Sequence, residues 1–218
     1  MNRALIISGG EYSPIESANE YTYVIACDKG YEYAIKMGIK PDLLIGDFDS
    51  IKKDKLDSVC DECQNKYEGM KISKHPVEKD DTDTMLAIKE ALNIGADTID
   101  IICALGGRLD HTYANIQSLS YIASYGARGC ISSDKERLSV IKAPFDIKIP
   151  YTEGWSLSLY SISDTLEHLT IKGTKYEVED ITLTNSFPLG YGNEILNKSE
   201  AHISAKQGLM LLVESLIK

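Results

Sequence analysis

The sequence predicts an α/β unit with an open parallel sheet and flanking helices, followed by a C-terminal antiparallel β-sandwich. Short apolar runs alternate with amphipathic stretches from residue 4 to about residue 130, the rhythm of strands covered by helices. The run Ile99 to Leu105 (IDIICAL) is close to continuously apolar, as strands buried on both faces of a parallel sheet are. After Ala143-Pro144 helical periodicity stops, and apolar runs recur roughly every ten residues between Gly, Asp and Asn.

Taken in order, the expected strands are Ala4 to Ile7, Tyr23 to Cys27, Leu43 to Ile45, Met70 to Ser73, Ile99 to Leu105 and Cys130 to Ser132. Between them Gly30 to Met37, Thr84 to Leu92 and Thr112 to Tyr125 place apolar residues at three- and four-residue spacing, the mark of helices with one buried face. The later runs IKIP, WSLSLYSI, HLTIKG, YEVEDITLT and LMLLVESL are the expected strands of the β unit, with Trp155 opening one of them as a core residue. The expected division is residues 1–133 and 143–218, with a connector around Pro144 and Pro150.

The chain has 218 residues, 43% hydrophobic and 26% charged, enough to fold around a real core and too apolar for a disordered chain. Its 23 Lys and Arg face 33 Asp and Glu, a net charge of -10 that argues against nucleic acid or an anionic membrane as partner. The apolar run of MNRALIISGG is about four residues, too short for a signal peptide, and no later run approaches a membrane span. Five cysteines, an odd number, with Cys27, Cys103 and Cys130 inside apolar runs, fit reduced core residues of a cytoplasmic protein. Cys60 and Cys63 form a lone C-x-x-C without the second pair that a zinc site needs.

Ligands of an open parallel sheet bind beyond the carboxyl ends of its strands, and there this sequence places aspartates. Asp28 follows the second strand, Asp47 and Asp49 the third, Asp80, Asp81 and Asp83 open a helix, and Asp110 follows Gly106-Gly107-Arg108. Asp47 and Asp49 are two apart, so in extended chain they leave one face together and can share a cation. A D-x-D at a turn can also merely cap amides. Carboxylates arriving from several loops, without thiolates or clustered histidines, favour magnesium completed by substrate phosphates. Asp80 to Asp83 also suit helix capping, which accounts for one or two of them but not the set. Gly106-Gly107 would let backbone approach a phosphate while Arg108 supplies a forked donor. His111 is a candidate substrate contact. Neither a P-loop nor a G-x-G-x-x-G is present, since Ser8-Gly9-Gly10 lacks that order. A serine or cysteine hydrolase is disfavoured by the absence of G-x-S-x-G and of a cysteine beside a plausible histidine.

The segments ACDKG, PDLLIGDFDS, KDDTDTMLAI and ALGGRLDHTYANI, in this order and spacing, resemble the thiamine pyrophosphokinase family. A weaker likeness continues through Gly173-Thr174-Lys175-Tyr176 and Tyr191-Gly192-Asn193-Glu194. The resemblance implies a catalytic α/β domain that binds nucleotide and metal, a thiamine-binding β-sandwich, and a homodimer with active sites where subunits meet. It implies transfer of pyrophosphate from ATP to thiamine with Mg2+, releasing AMP. It makes Asp47, Asp49 and Asp83 the metal ligands, with Asp83 also a substrate carboxylate. Asp28, Asp80, Thr82, Arg108 and His111 fall at the nucleotide, and Asp110 joins Arg108, Asp47, Asp49 and Asp83 in catalysis. Tyr191 and Asn193 fall at the thiamine pocket, where this chain has Gly192 in place of the family's serine. Asp83 and Asp110 both remain candidates for the base that takes the thiamine hydroxyl proton. Two other functions compete. A magnesium phosphatase would also use D-x-D after a strand, although there it follows the first strand. A catalytically inactive nucleotide or thiamine sensor would be expected to have lost the carboxylates.

Overall fold

The structure is a computed structural model that describes residues 2–46, 70–74 and 81–217. Asp47, Asp49, Asp80 and the Cys60–Cys63 pair lie outside the described residues. The α/β part runs β1 (Arg3–Ile7), β2 (Tyr23–Cys27), α1 (Gly30–Met37), β3 (Leu43–Gly46), β4 (Lys71–Lys74), α2 (Asp83–Asn93), β5 (Thr98–Ile102), α3 (Leu109–Ser124) and β6 (Arg128–Ser132). Then follow β7 (Glu136–Lys142), β8 (Phe145–Pro150), β9 (Trp155–Ser161), β10 (Thr165–Lys172), β11 (Val178–Thr184), β12 (Glu200–Ala205) and β13 (Leu209–Leu216).

One nine-stranded sheet has the order β4-β3-β2-β1-β5-β6-β7-β13-β9, and a four-stranded sheet the order β11-β10-β12-β8. Pairing is parallel from β4 to β6 and antiparallel from β6 outward and throughout the smaller sheet. Alternation along β1 explains its unbroken hydrophobicity. Leu5 and Ile7 pack with Val24, Ala34 and Ile39 under α1, while Ala4 and Ile6 pack with Ala87, Ile88, Leu119 and Ile122 under α2 and α3. Each such Leu or Ile contributes about 1.5–3 kcal/mol by leaving water. A helix on each face is what a parallel sheet of this composition requires.

Around the expected connector, residues 136–142 and 145–150 form strands, and the long sheet continues from β6 through β7 to β13 and β9. Two strands serve both cores. In β13, Leu209, Leu211 and Val213 face the α/β core, whereas Met210 and Leu212 face the sandwich core with Leu166, Leu169, Ile171 and Ile203. β7 does the same through Leu138 and Val140 on one side and Ile141 on the other.

β12 has no counterpart among the sequence expectations. Its inward residues are Ala201, Ile203 and Ala205, too small a stripe to stand out as an apolar run. The expected strand to Leu105 ends at Ile102, because Cys103 takes the left-handed region at φ 56° and leaves the ladder. Helix α3 starts at Leu109, three residues before the expected Thr112. Among the described residues no helix is long and apolar enough to cross a membrane.

Candidate active site

From β1 the chain order runs to β2 on one side and to β5 on the other, which opens a crevice at their carboxyl ends. A cavity of about 740 Å³ occupies it, lined from the loop after β1 (Ser8 to Tyr12), the β2–α1 turn (Cys27 to Lys29), the start of α2 (Thr82 to Thr84) and the β5–α3 loop through His111 and Asn115.

Local chemistry holds these walls together. The Gly10 amide donates to the Cys103 carbonyl at 2.7 Å and the Glu11 amide to that of Leu105 at 2.9 Å. A Cβ on Gly10 would lie 2.7 Å from both carbonyl oxygens, so only glycine fits between the two loops. Buried Ser8 and Thr84 share a hydroxyl hydrogen bond of 2.8 Å that ties the end of β1 to the first turn of α2. Thr82 caps that helix, its hydroxyl accepting from the Met85 amide at 3.1 Å. The cap leaves amides of the first turn and the positive end of the helix dipole at the cavity wall. Buried Asn115 donates through Nδ2 to the Ala104 carbonyl at 2.8 Å, anchoring the loop that carries Gly106, Gly107 and Arg108.

The structure brings together Asp28, Thr82, Asp83, Arg108 and His111 of the expected set. Asp28 sits at φ 42°, and its Oδ1 lies where a side chain at Gly46 would be, 1.7 Å from the Cβ position. Gly46 therefore lets the Asp28 carboxylate lie against the end of β3, one residue before Asp47. Arg108 and Asp110 form a forked pair, Nε to Oδ1 at 3.1 Å and Nη2 to Oδ2 at 2.5 Å. Asp110 Oδ1 also accepts from the His111 amide at 3.0 Å. The hydrogen bonds from Arg108 hold the Asp110 carboxyl below the usual carboxylate range and raise Arg108 in turn.

Tyr191 and Asn193 do not line this cavity, whose described walls end at Asn115. Tyr191 is 75% exposed, on a loop with exposed Phe187, Leu189 and Leu196. Asn193 is 6% exposed and its amide is fully engaged. Nδ2 donates to Thr174 Oγ1 at 3.1 Å and to the Tyr176 carbonyl at 2.9 Å, and Oδ1 accepts from the Tyr176 and Glu194 amides at 3.1 and 2.9 Å. Its side chain fastens the segment after β10 to the loop before β12.

Sequence reasoning did not single out Ser8, Gly10, Lys29, Tyr33 or, as an anchor, Asn115. Ser8-Gly9-Gly10 fails the dinucleotide pattern, yet its position right after the first strand was the available signal. A second cavity of about 740 Å³ lies against β3, β4 and α2 between Leu43, Ile45, Tyr121 and Tyr125. Its Lys89 is held by Asp81 at 2.6 Å, and it lies away from the glycine-rich loops at the β1 and β5 ends.

Two family models match the chain: "Thiamin pyrophosphokinase, catalytic domain" over residues 16–130 and "Thiamin pyrophosphokinase, vitamin B1 binding domain" over residues 145–210. The thiamine pyrophosphokinase of Bacillus subtilis (strain 168) is 26% identical over 215 residues, 96% of this chain and 97% of that one. The crystal structure of a Bacillus subtilis thiamine pyrophosphokinase superposes with a TM-score of 0.86 at 25% identity, covering 98% of this chain and 99% of the other. That of a thiamin pyrophosphokinase family protein from Enterococcus faecalis has a TM-score of 0.83 at 25% identity with full coverage of both chains. The yeast thiamin pyrophosphokinase, at 18% identity and a TM-score of 0.74 over 99% of this chain and 87% of that one, shares the fold.

Proposed function

The chain belongs to the thiamin pyrophosphokinase family, and from that premise we infer that it transfers the pyrophosphoryl group of ATP to the hydroxyl of thiamine, giving thiamine diphosphate and AMP. The observation that carries this reading is the convergence of Asp28, Asp83, Arg108 and the capped start of α2 on one cavity at the sheet's carboxyl edge. The thiamine oxygen attacks the β-phosphorus, the bond from that phosphorus to the oxygen bridging the α-phosphorus breaks, and AMP leaves with the bridging oxygen. The hydroxyl proton passes to a carboxylate. Such transfers depend on positioning and on neutralising phosphate charge more than on covalent help from the protein.

Arg108 supplies a planar donor at the mouth of the glycine loop, and the α2 amides supply partial positive charge. Asp110, with both oxygens engaged by Arg108 and its affinity for protons lowered, is a poor acceptor while that pair is closed.

Carboxylate oxygens are the donors that magnesium takes, and Asp83 lies in the cavity wall. Among the described residues no group of three or more His, Cys, Asp or Glu converges closely enough to hold a metal by itself. Asp83 with Asp47 and Asp49 would hold the ion, leaving positions for water and phosphate. Bound there, magnesium would offset polyphosphate charge and fix its geometry. Thr82, His111 and Asp80 are assigned to the nucleotide.

We assign thiamine to the β-sandwich, and the sites to a homodimer in which the Tyr191 loop of one subunit completes the cavity of the other. Two features support this: among the described residues none after Asn115 lines the cavity, and the loop carries four exposed apolar side chains. We assign the protein to the cytoplasm, a compartment that keeps thiols such as those of Cys103 and Cys130 reduced. The test is AMP release from ATP and magnesium with and without thiamine. Thiamine-dependent AMP is expected. Thiamine-independent inorganic phosphate would support a phosphatase instead, and ATP binding without AMP a sensor.

A further inference from the structure

Lys29 lines the cavity from the first turn of α1 and is not among the residues assigned above. It occupies the N-cap position with helical backbone, φ −56° and ψ −24°, and makes no capping hydrogen bond with its side chain. Its ammonium lies instead over the Tyr33 ring, one turn along, 5.3 Å from the ring centroid. The Tyr33 hydroxyl in turn donates to the Gly10 carbonyl at 2.9 Å. Gly10 is itself pinned to Cys103, so a three-part tether runs from Lys29 to the glycine loop between β1 and β5.

The charge balance of the cavity makes this tether informative. Its described lysine and arginine side chains are Lys29 and Arg108, against the carboxylates of Glu11, Asp28 and Asp83. Arg108 has its fork closed on Asp110. Lys29 lies over the ring of Tyr33, with Glu32 acting on it only at longer range. An exposed lysine ordinarily samples many rotamers, and holding one beside a polyphosphate-sized cavity removes part of the entropy that binding would otherwise cost. An ammonium suits a polyphosphate as a compact point charge with three donors.

We propose that Lys29 is the polyphosphate-binding cation on the α1 side of the cavity and that Tyr33 is the positioning residue that aims it. This rests on the pyrophosphokinase reading for the identity of the polyphosphate. Lys29 contacts the phosphates opposite the Arg108 loop, and Tyr33 touches no substrate.

The experiment is calorimetric binding of adenosine, AMP and α,β-methylene ATP with magnesium to the full chain and to the variants Lys29→Gln, Lys29→Arg and Tyr33→Phe. Lys29→Gln weakens the methylene analogue about tenfold, the loss of one charge-assisted hydrogen bond, and leaves adenosine unchanged. Lys29→Arg keeps affinity within about threefold, since the charge remains. Tyr33→Phe weakens the analogue roughly threefold with unchanged adenosine binding and unchanged thermal midpoint, a pattern that a merely structural hydroxyl would not give. Unchanged analogue binding by Lys29→Gln, or an equal loss for adenosine, overturns the proposal, and wild-type analogue binding by Tyr33→Phe overturns the positioning role. Failure of the pyrophosphokinase reading itself is seen separately, as wild-type protein that forms no thiamine-dependent AMP.

Discussion

Gly30 is where the fold and the site meet most tightly, and replacing it by alanine sets two known effects against each other. A Cβ there would lie 2.0 Å from the Ile7 carbonyl oxygen, 2.8 Å from its carbon and 2.9 Å from the Ser8 carbonyl oxygen. All three are backbone atoms at the end of β1, so no side chain can swing aside and α1 must move by about 1 Å. Helix propensity alone would make alanine better by about 1 kcal/mol. Overpacking against backbone costs about 3 kcal/mol, the upper end of its usual range. The net is a destabilisation of about 2 kcal/mol, which for a chain of this size lowers the thermal midpoint by roughly 4–8 °C. Because Asp28 and Lys29 precede Gly30, a shift of that size also lowers turnover by about a hundredfold. Gly38→Ala is the control. It has no atom within 4 Å of the new Cβ but sits at φ 69°, so it costs about 1 kcal/mol of backbone strain and leaves turnover intact. Thermal unfolding and AMP formation measured on both variants decide the matter. A Gly30→Ala protein with wild-type midpoint or wild-type turnover would refute the packing argument.

Three further outcomes follow from the same contacts. Thr82→Ala removes the α2 cap, costs about 1 kcal/mol and raises the KM for ATP severalfold as the first turn frays, measured by steady-state kinetics. Asn193→Ala leaves the Tyr176 and Glu194 amides without their acceptor and takes one donor from the Thr174 hydroxyl, which keeps its own bond to the Tyr176 carbonyl, costing about 3 kcal/mol in denaturant unfolding. Burial raises the Glu214 carboxyl above its usual value, with Arg137 partly opposing. The folded state therefore favours the protonated acid, and this contribution is fully present below the unfolded-state pKa and lost as pH rises through the folded one. Glu214→Gln should be more stable than wild type at pH 8, with the gain vanishing as pH falls below the ordinary glutamate range. A gain independent of pH would contradict that sign.

Much of the fold was legible because the parallel strands carry apolar residues on both faces, and β1, β2 and α1 lie within a residue of where periodicity puts them. The strands that escaped notice, β7 and β12, alternate with modest or small inward residues. The candidate cavity was legible where it is lined by residues chosen for side-chain type: Asp28, Asp83 and Arg108 stand together there. It was illegible where the residue acts through geometry. Gly10 and Gly30 matter because of which carbonyls they touch, and Lys29 and Tyr33 because one helical turn separates them. Asn193, expected at the thiamine pocket, has an anchoring role that the sequence did not announce, its amide bonding to the chain's own backbone and to Thr174.

Tracing one phosphorus tests the central claim most directly. With ATP labelled at the β-phosphorus, thiamine and magnesium, attack at that atom sends the label into thiamine diphosphate and yields one unlabelled AMP for each product molecule. The Arg108→Ala protein, altered at an exposed residue, keeps its fold and loses most of this transfer. Label appearing in ADP or in inorganic phosphate, or transfer undiminished without Arg108, would contradict the account.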